Sequence, residues 1–370
     1  MALGMCLVAQ AGTLSITNIS LLSGKPQLLI QSDTGITNQI LSKTNLSQTN
    51  WLVLTNLMVT QSPYLFVDLS AATASSRFYR VLGLTNATSP PPSGMALIPA
   101  GGFTIGDTLD GESDAIPTNV YVSAFYMDTN LVNYALWQQV YQWATSHGYA
   151  FTDAGAGKLT NNPAQSMEWF DCIIWSNARS QQAGLTPVYY TDAGLTHVYV
   201  SGELPAHVKW AANGYRLPTE AEWEKAARGG LSGQRFPLGN TISETQANYH
   251  STGTTGDLGP IGYNSIGIIG GAPYTSPVGS FAPNGYGICD MAGNVSEWCW
   301  DWYDSNLSAA GSPYAGGTDP RGPASSPLQY RVLRGGDWED TAINVRCAFR
   351  FFASPVLGIN YIGFRCVRGL

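Results

Sequence analysis

The run Ser89-Pro90-Pro91-Pro92-Ser93, inside NATSPPPSG at 86–94, limits the possible folds more than any other stretch of the chain. Each proline fixes its own φ, lacks a backbone N–H and pushes the residue before it out of the helical region. No helix or sheet ladder continues through three of them, so the segment predicts a stiff, extended linker. What lies on either side must fold separately, and 370 residues are enough for that division.

The two sides differ in texture. Residues 12–85 alternate apolar and polar in short runs, LSITNISLL, PQLLIQS, WLVLTNLMV, YLFVDLS and RFYRVLGL, separated by Ser, Thr, Asn and Gly. A period of two predicts an all-β module. Its later part resembles the short β-sandwich modules of secreted environmental bacterial proteins, which implies a structural or adhesive role. The first residues, MALGMCLVAQAG, end in Ala9-Gln10-Ala11, a signal-peptidase-like site, yet carry no basic residue ahead of the short apolar run. Residues 1–11 therefore read either as a truncated signal peptide or as an ordinary first strand.

From Met95 onward glycine, tryptophan and tyrosine become frequent. Three helices are predicted there. VNYALWQQVYQWATSHG sets Tyr134, Trp137, Tyr141 and Ala144 on one face. SMEWFDCIIWSNARSQQAG does the same with Trp169, Cys172, Ile173 and Ser176, and Gly184 stops it. In LPTEAEWEKAARGG, Thr219 caps the helix while Glu222 reaches back, and Gly229-Gly230 ends it. The remainder predicts short strands and long loops, which need function or bound ions to hold them.

Composition narrows the chemistry. A net charge of −7 leaves no basic footprint for a nucleic acid and suits a protein that collects a cation. No apolar run reaches the roughly 18 residues of a membrane-spanning helix. The six cysteines form no C-x-x-C pair, which excludes zinc ribbons and thioredoxin-type redox motifs. One bridge, from Cys172 to Cys347 or Cys366, and buried free thiols both remain open. His147, His197, His207 and His250 are not paired as metal-binding motifs and predict loop or surface positions. The acidic run DTLDGESD at 107–114 lacks calcium-loop spacing and reads as a solvated loop.

Four blocks then occur in order: MALIPAGGFTIGDTLDGESDAIPTNVYVSAFYMD, YRLPTEAEWEKAARGG, PVGSFAPNGYGICDMAGNVSEWCWDWY, and RVLRGGDW with RCAFR and GFRCVR. Together they resemble the formylglycine-generating enzymes, or sulfatase-modifying factor domains, over residues 95–370. The resemblance implies an α+β fold, a variant of the C-type lectin fold with few helices and long loops, preceded here by the small all-β module. It implies copper held by two cysteines just after the Gly-Gly pair. This chain reads GGDWEDTAINVR there, with no cysteine before Cys347. Copper(I) needs thiolates, so no copper is expected and the oxidase site is absent.

The same resemblance implies a structural calcium ion in ICDMAGNVSEW, held by Asp290, the carbonyls of Gly293 and Val295, and Glu297. The reading of the residues alone is a tight turn capped by Asp290, with Glu297 in a salt bridge. A second family calcium position would draw on Asn248 and Tyr249, but the aspartate it requires is missing. The family's active-site groove falls on the last forty residues. Asp337, Trp338, Phe349, Phe351, Phe352 and Tyr361 are the candidate ligand-binding residues, since aromatics give contact area at little entropic cost; alternation turns about half of them inward.

The segment also resembles the variable proteins of diversity-generating retroelements. The fixed positions are Gly335-Gly336, Arg346-Cys347-Ala348-Phe349-Arg350, Pro355 and Gly363-Phe364-Arg365-Cys366, and the intervening FFAS and VLGINYI contain no Lys, Glu, Gln, Met or Trp. The expectation is thus a secreted or envelope-associated protein that binds a protein or small-molecule ligand, with an enzyme of altered chemistry as the alternative.

Overall fold

The computed structural model of the chain describes residues 2–5, 15–22, 25–32, 37–45, 52–58, 63–68, 76–83, 91–109, 111 and 113–370. Ala9-Gln10-Ala11, Cys6, residues 86–90 of the linker, and Asp110 and Glu112 of the acidic run lie outside the described residues. The chain forms two compact units, Met1–Pro90 and Pro91–Leu370, divided inside the triple proline.

The first unit is all β. One sheet orders the strands Ala2–Met5, Ser76–Gly83, Thr37–Lys43 and Leu52–Met58; the other orders Ser15–Leu22, Lys25–Gln31 and Tyr64–Val67. Along Lys25–Gln31 alternate residues are buried, and Leu28 and Ile30 meet Ile40 and Tyr79 in a small core. The Tyr79 hydroxyl donates to Asp68 at 2.8 Å, and Asp68 also pairs with Arg77 at 2.8 Å, which satisfies a carboxylate that is 2% exposed.

The second unit is α+β, with three α-helices among the described residues. Helix α1, Tyr134–Ser146, is capped by Asn133, whose side chain accepts from Leu136 N. Helix α2 spans Trp169–Gln182 and α3 spans Glu220–Ala227. Both halves of the predicted capping box are present: Glu222 N donates to Thr219 Oγ1 at 3.2 Å, and Thr219 N donates to Glu222 at 2.8 Å.

Two apolar clusters organise this unit. In one, α1 and α2 stack Trp137 on Trp175 with ring centres 5.7 Å apart, and Phe364 meets both edge-on. In the other, α3 buries Ala221, Trp223, Ala226 and Ala227 against Ile98, Ile105, Val120 and Val332. Between the clusters runs a sheet in the order Arg350–Ala353, Arg331–Arg334, Ser296–Trp302 and Ile362–Gly363. Its middle strand, Arg331–Arg334, pairs antiparallel with both neighbours.

Charge fastens α3 to that sheet. Glu224, fully buried, accepts from Arg334, from Arg228 at 2.6 and 2.9 Å, and from Gly106 N at 2.7 Å. Glu220 accepts from Arg350 at 2.6 and 3.1 Å. Arg334 also donates to the carbonyls of Cys347, Ala348 and Phe349. The arginine that precedes the glycine pair is therefore a structural bolt, and the turn after it starts from a fixed point.

Candidate functional site

Gly335 and Gly336 sit at φ 91° and 64°, the left-handed region that side chains resist. A Cβ on Gly336 would lie 2.7 Å from Asn344 O and 2.9 Å from Val345. The turn therefore closes onto its own return, and it turns Asp337 and Trp338 away from solvent: each is 6% exposed.

Asp337 accepts from Glu339 N at 2.9 Å and from Ser296 Oγ at 3.4 Å, while Asp337 N donates to Asp340 at 3.1 Å. Asp340 accepts from Asn344 Nδ2 at 2.8 Å. Burial, then the neighbouring Asp340, pushes the Asp337 carboxyl up to about 8, and burial raises Asp340 as well. Burial and mutual repulsion thus bias both carboxyls toward the protonated form. Tyr361 lies beside them: its carbonyl accepts from Ser296 N at 2.9 Å, and burial and the charges of Asp337, Glu339 and Asp340 raise its phenol.

An aromatic wall backs the pair. Trp338 stacks on Tyr274 with centres 5.5 Å apart and tilts against Tyr263 at 6.2 Å. Tyr263 stacks in turn on His250 at 4.2 Å, so one of the four histidines joins the wall. Among the described residues the Trp338 indole N–H has no hydrogen-bond partner. None of Tyr263, Tyr274 or His250 is legible as a site residue, because Tyr263 and Tyr274 reach Trp338 from far off in sequence and His250 touches only Tyr263 among the rings; the glycine-rich, apolar run GYNSIGIIGGAPY is the one local hint.

The candidate groove separates into parts. Phe352 turns inward against Tyr303 at 4.3 Å and Tyr330 at 5.2 Å. Phe351 is 46% exposed and stacks on Phe349 at 6.3 Å. Among the described residues, no ring contact joins these phenylalanines to Trp338 or Tyr361. The structure thus gathers Asp337, Trp338 and Tyr361, adds Asp340 and Ser296, and sets Phe349 and Phe351 apart.

Among the described residues no thiol hydrogen-bonds to this cluster. Cys347 is fully buried in the α3 cluster, where burial pushes its thiol up to about 12. Cys172, Cys289, Cys299 and Cys366 are also unbridged, each raised by burial. The pocket's donors are carboxyl, hydroxyl, phenol and indole, a set that does not fit copper(I).

In the ICDMAGNVSEW block, Asp290 and Gly293 both have positive φ, 55° and 73°. Asp290 accepts from Gly279 N at 2.7 Å through one oxygen, whereas its other oxygen is buried without a partner; burial pushes the carboxyl up to about 6. Glu297 lies on the central sheet and takes the Arg365 fork at 2.7 and 2.8 Å. Arg365 also donates to the Asp290 carbonyl at 3.1 Å, so a guanidinium stands between the two acidic positions. Among the described residues one Asp290 oxygen keeps no hydrogen bond, while Glu297 is committed to Arg365 in a buried salt bridge. Among the described residues, no three His, Cys, Asp or Glu side chains come together as metal ligands. Asn248 is bound to Tyr274 O at 2.9 Å and the Tyr249 hydroxyl to Asp257 at 2.5 Å.

Residues 83–370 match the family described as the sulfatase-modifying factor enzyme 1-like domain. The formylglycine-generating enzyme of Bos taurus is 31% identical over 299 residues, 75% of this chain and 75% of that protein. The serine/threonine-protein kinase pkn1 of Chlamydia pneumoniae is 31% identical over 281 residues, 75% of this chain but 38% of that protein, so the chain spans little more than a third of it. Among solved structures, Treponema denticola variable protein 1 aligns with a TM-score of 0.58 at 28% identity, covering 75% of this chain and 95% of that one. Among the described residues no helix is long and apolar enough to cross a membrane.

Proposed function

Since the chain belongs to the sulfatase-modifying factor enzyme 1-like family, we propose that it uses the family's groove to bind a ligand rather than to oxidise one. The observation that supports this is that no cysteine follows Gly335-Gly336 before the core residue Cys347; the turn instead sets Asp337 and Asp340 beside Trp338, Tyr274 and Tyr263. Such a pocket offers hydrogen bonds, charge and aromatic area. It offers no soft donor to a redox metal, and the nearby Cys347 thiol is held protonated in the core. The test is Cu(I) competition against bicinchoninate, together with a cysteine-containing sulfatase peptide under air. The expected result is no retained copper and no aldehyde product by mass spectrometry. Copper-dependent turnover that disappears in Cys347→Ser would overturn the assignment and favour the alternative, an enzyme of altered chemistry.

The exposed turn after Arg350–Ala353 supports a narrower version, in which this segment is diversified by a retroelement: Val356 is 53% and Leu357 39% exposed, just beyond an edge strand. A near-copy of the segment encoding 335–366 beside a reverse transcriptase gene would be the signature, and its absence from the locus would remove this version.

Calcium belongs to the same reading, held by Asp290, the carbonyls of Gly293 and Val295, and Glu297; the buried, unpartnered oxygen of Asp290 supports it. EDTA is then expected to lower the melting temperature by a few degrees, as removal of a bound ion does. Asp290→Asn should abolish the difference between EDTA and calcium. Equal melting temperatures of the unaltered chain in both would refute the site. The expected location remains secreted or envelope-associated.

A further inference from the structure

The turn that follows Arg350–Ala353 is pinned at both ends to the start of α2. Ser166 N donates to Ile359 O at 3.1 Å, and Trp169 N donates to Pro355 O at 2.9 Å. Gly358 lets the backbone between them close down, since a Cβ there would lie 2.6 Å from Asp153 Oδ2. Asp171, fully buried, fixes the facing segment by accepting from Thr152 N and Asp153 N, each at 2.9 Å. Thr152 Oγ1 in turn donates to Glu203 at 3.3 Å. Backbone contacts from three segments thus hold Asp153, Glu168, Asp171 and Glu203 in one place.

These four carboxyls have no counter-charge of the chain's own. Among the described residues none of them forms a salt bridge. Arg331 lies over the Trp169 ring, 3.7 Å from its centroid, but it is taken up by that ring, by Trp302 and by the Trp300 carbonyl. Glu168 occupies the N-cap of α2, yet its side chain makes no capping hydrogen bond. The residue is 1% exposed, and its Oε1 is buried without a partner among the described residues. Burial first, then the charge of Asp171 and those of Glu203 and Asp153, raise its carboxyl to about 7 against a hydrogen bond from Thr152. A buried carboxyl is therefore directed among three others, with an oxygen to spare. On the solvent side Asp153 is half-buried and Glu203 exposed. Exposed apolar side chains adjoin both: Val356 and Leu357 precede Gly358, and Leu204 follows Glu203.

We propose that this surface receives a basic side chain, lysine or arginine, of a protein partner, with its cationic head between Asp153 and Glu203 and its stem along the apolar residues that adjoin them. The spacing of the acids selects the kind of cation. Among the described residues no three acidic side chains converge as ligands of one metal ion. An ammonium carries three N–H donors and a guanidinium five, so either pairs with carboxylates that stand apart. Long basic side chains also lay their methylene stems along apolar surface. Glu168 acts from behind through charge, because a cation in front favours its ionised form. The surface shares no residue with the Asp337 cluster, and the proposal stands whether or not the turn is diversified.

The test follows the amide resonances of Asp153 and Gly358 in the full chain by NMR. The probes are the peptide acetyl-leucyl-arginyl-leucinamide, its neutral twin with citrulline in place of arginine, and calcium chloride. The arginine peptide is expected to shift both resonances saturably and to bind about 10-fold more tightly than the citrulline twin, the step expected for one charge-assisted pair. Glu203→Gln, at an exposed position, should weaken the arginine peptide about 10-fold and leave the twin unchanged. Asp340→Ala, in the other cluster, should leave both unchanged. Equal binding of the two peptides would overturn the assignment, as would a Glu203→Gln titration that overlays the unaltered one or an arginine peptide that gives no saturable shift. Calcium moving the same resonances at lower concentration than the peptide would replace the basic side chain with a metal ion.

Discussion

Replacing Glu224 with alanine is expected to lower the stability of the Pro91–Leu370 unit by about 3–5 kcal/mol, the usual cost of stranding a buried partner. The carboxylate accepts from Arg334, Arg228 and Gly106 N in a place with no access to water. Without it, Arg334 keeps three carbonyls and a distant Glu220 at 3.7 Å, and Arg228 keeps the carbonyls of Gln234 and Gly106. Two guanidiniums then stay buried with less counter-charge. For a unit of this size the melting temperature should fall by about 10 °C. Glu224→Gln, which keeps the shape and one acceptor, should cost less than the alanine variant. Calorimetry that places Glu224→Ala within about 2 °C of the unaltered chain would show that the bolt between α3 and the sheet carries little of the stability.

The second large effect is on pH dependence. The Asp337 carboxyl titrates near 8 in the folded chain and near the ordinary 3.8 when unfolded. A folded pKa raised in this way makes the folded state the better proton binder. Its stabilising effect is complete below the unfolded value and is lost as pH rises toward the folded one. Glu168, raised to about 7, and Asp171 and Asp290, each raised to about 6, act in the same direction over part of that window. Lys225, lowered to about 8, works only above it. The chain should therefore be more stable at pH 5.5 than at pH 7.5. Asp337→Asn should remove about 1–2 kcal/mol of that difference, since one proton contributes at most about 1.4 kcal/mol per pH unit. Urea midpoints of both proteins at the two pH values decide it: equal losses between pH 5.5 and 7.5 would mean that Asp337 does not hold the proton.

Much of the architecture was legible in the sequence because its signals are local. The period and caps of α1, α2 and α3 lie within single stretches, and Thr219 with Glu222 behaves as its spacing implies. The strand Thr37–Lys43 was not, since TNQILSK has little apolar alternation to reveal that Asn38 and Gln39 would be buried. Two-residue pairings such as His250–Ser251 with Gly262–Tyr263 depend on long-range closure and leave almost no pattern. The candidate pocket was half readable. The glycine pair pointed to Asp337 and Trp338. Alternation foretold that some of the phenylalanines would turn inward, as Phe352 does, but it did not show that Phe349 and Phe351 would stand apart from Trp338. Asp340 was not singled out, because nothing in its neighbours in sequence marks it as the partner of Asp337.

The residues that would touch a ligand are also core residues: Asp337 and Trp338 are each 6% exposed, and Ala342 and Val345 beneath the same turn are fully buried. Selection for a new specificity at this spot would therefore register first as a change in how much folded protein survives in the cell. Lineages that retune it should carry compensating substitutions elsewhere in the scaffold, whereas the exposed side chains of Val356 and Leu357 are free to drift at little cost to yield.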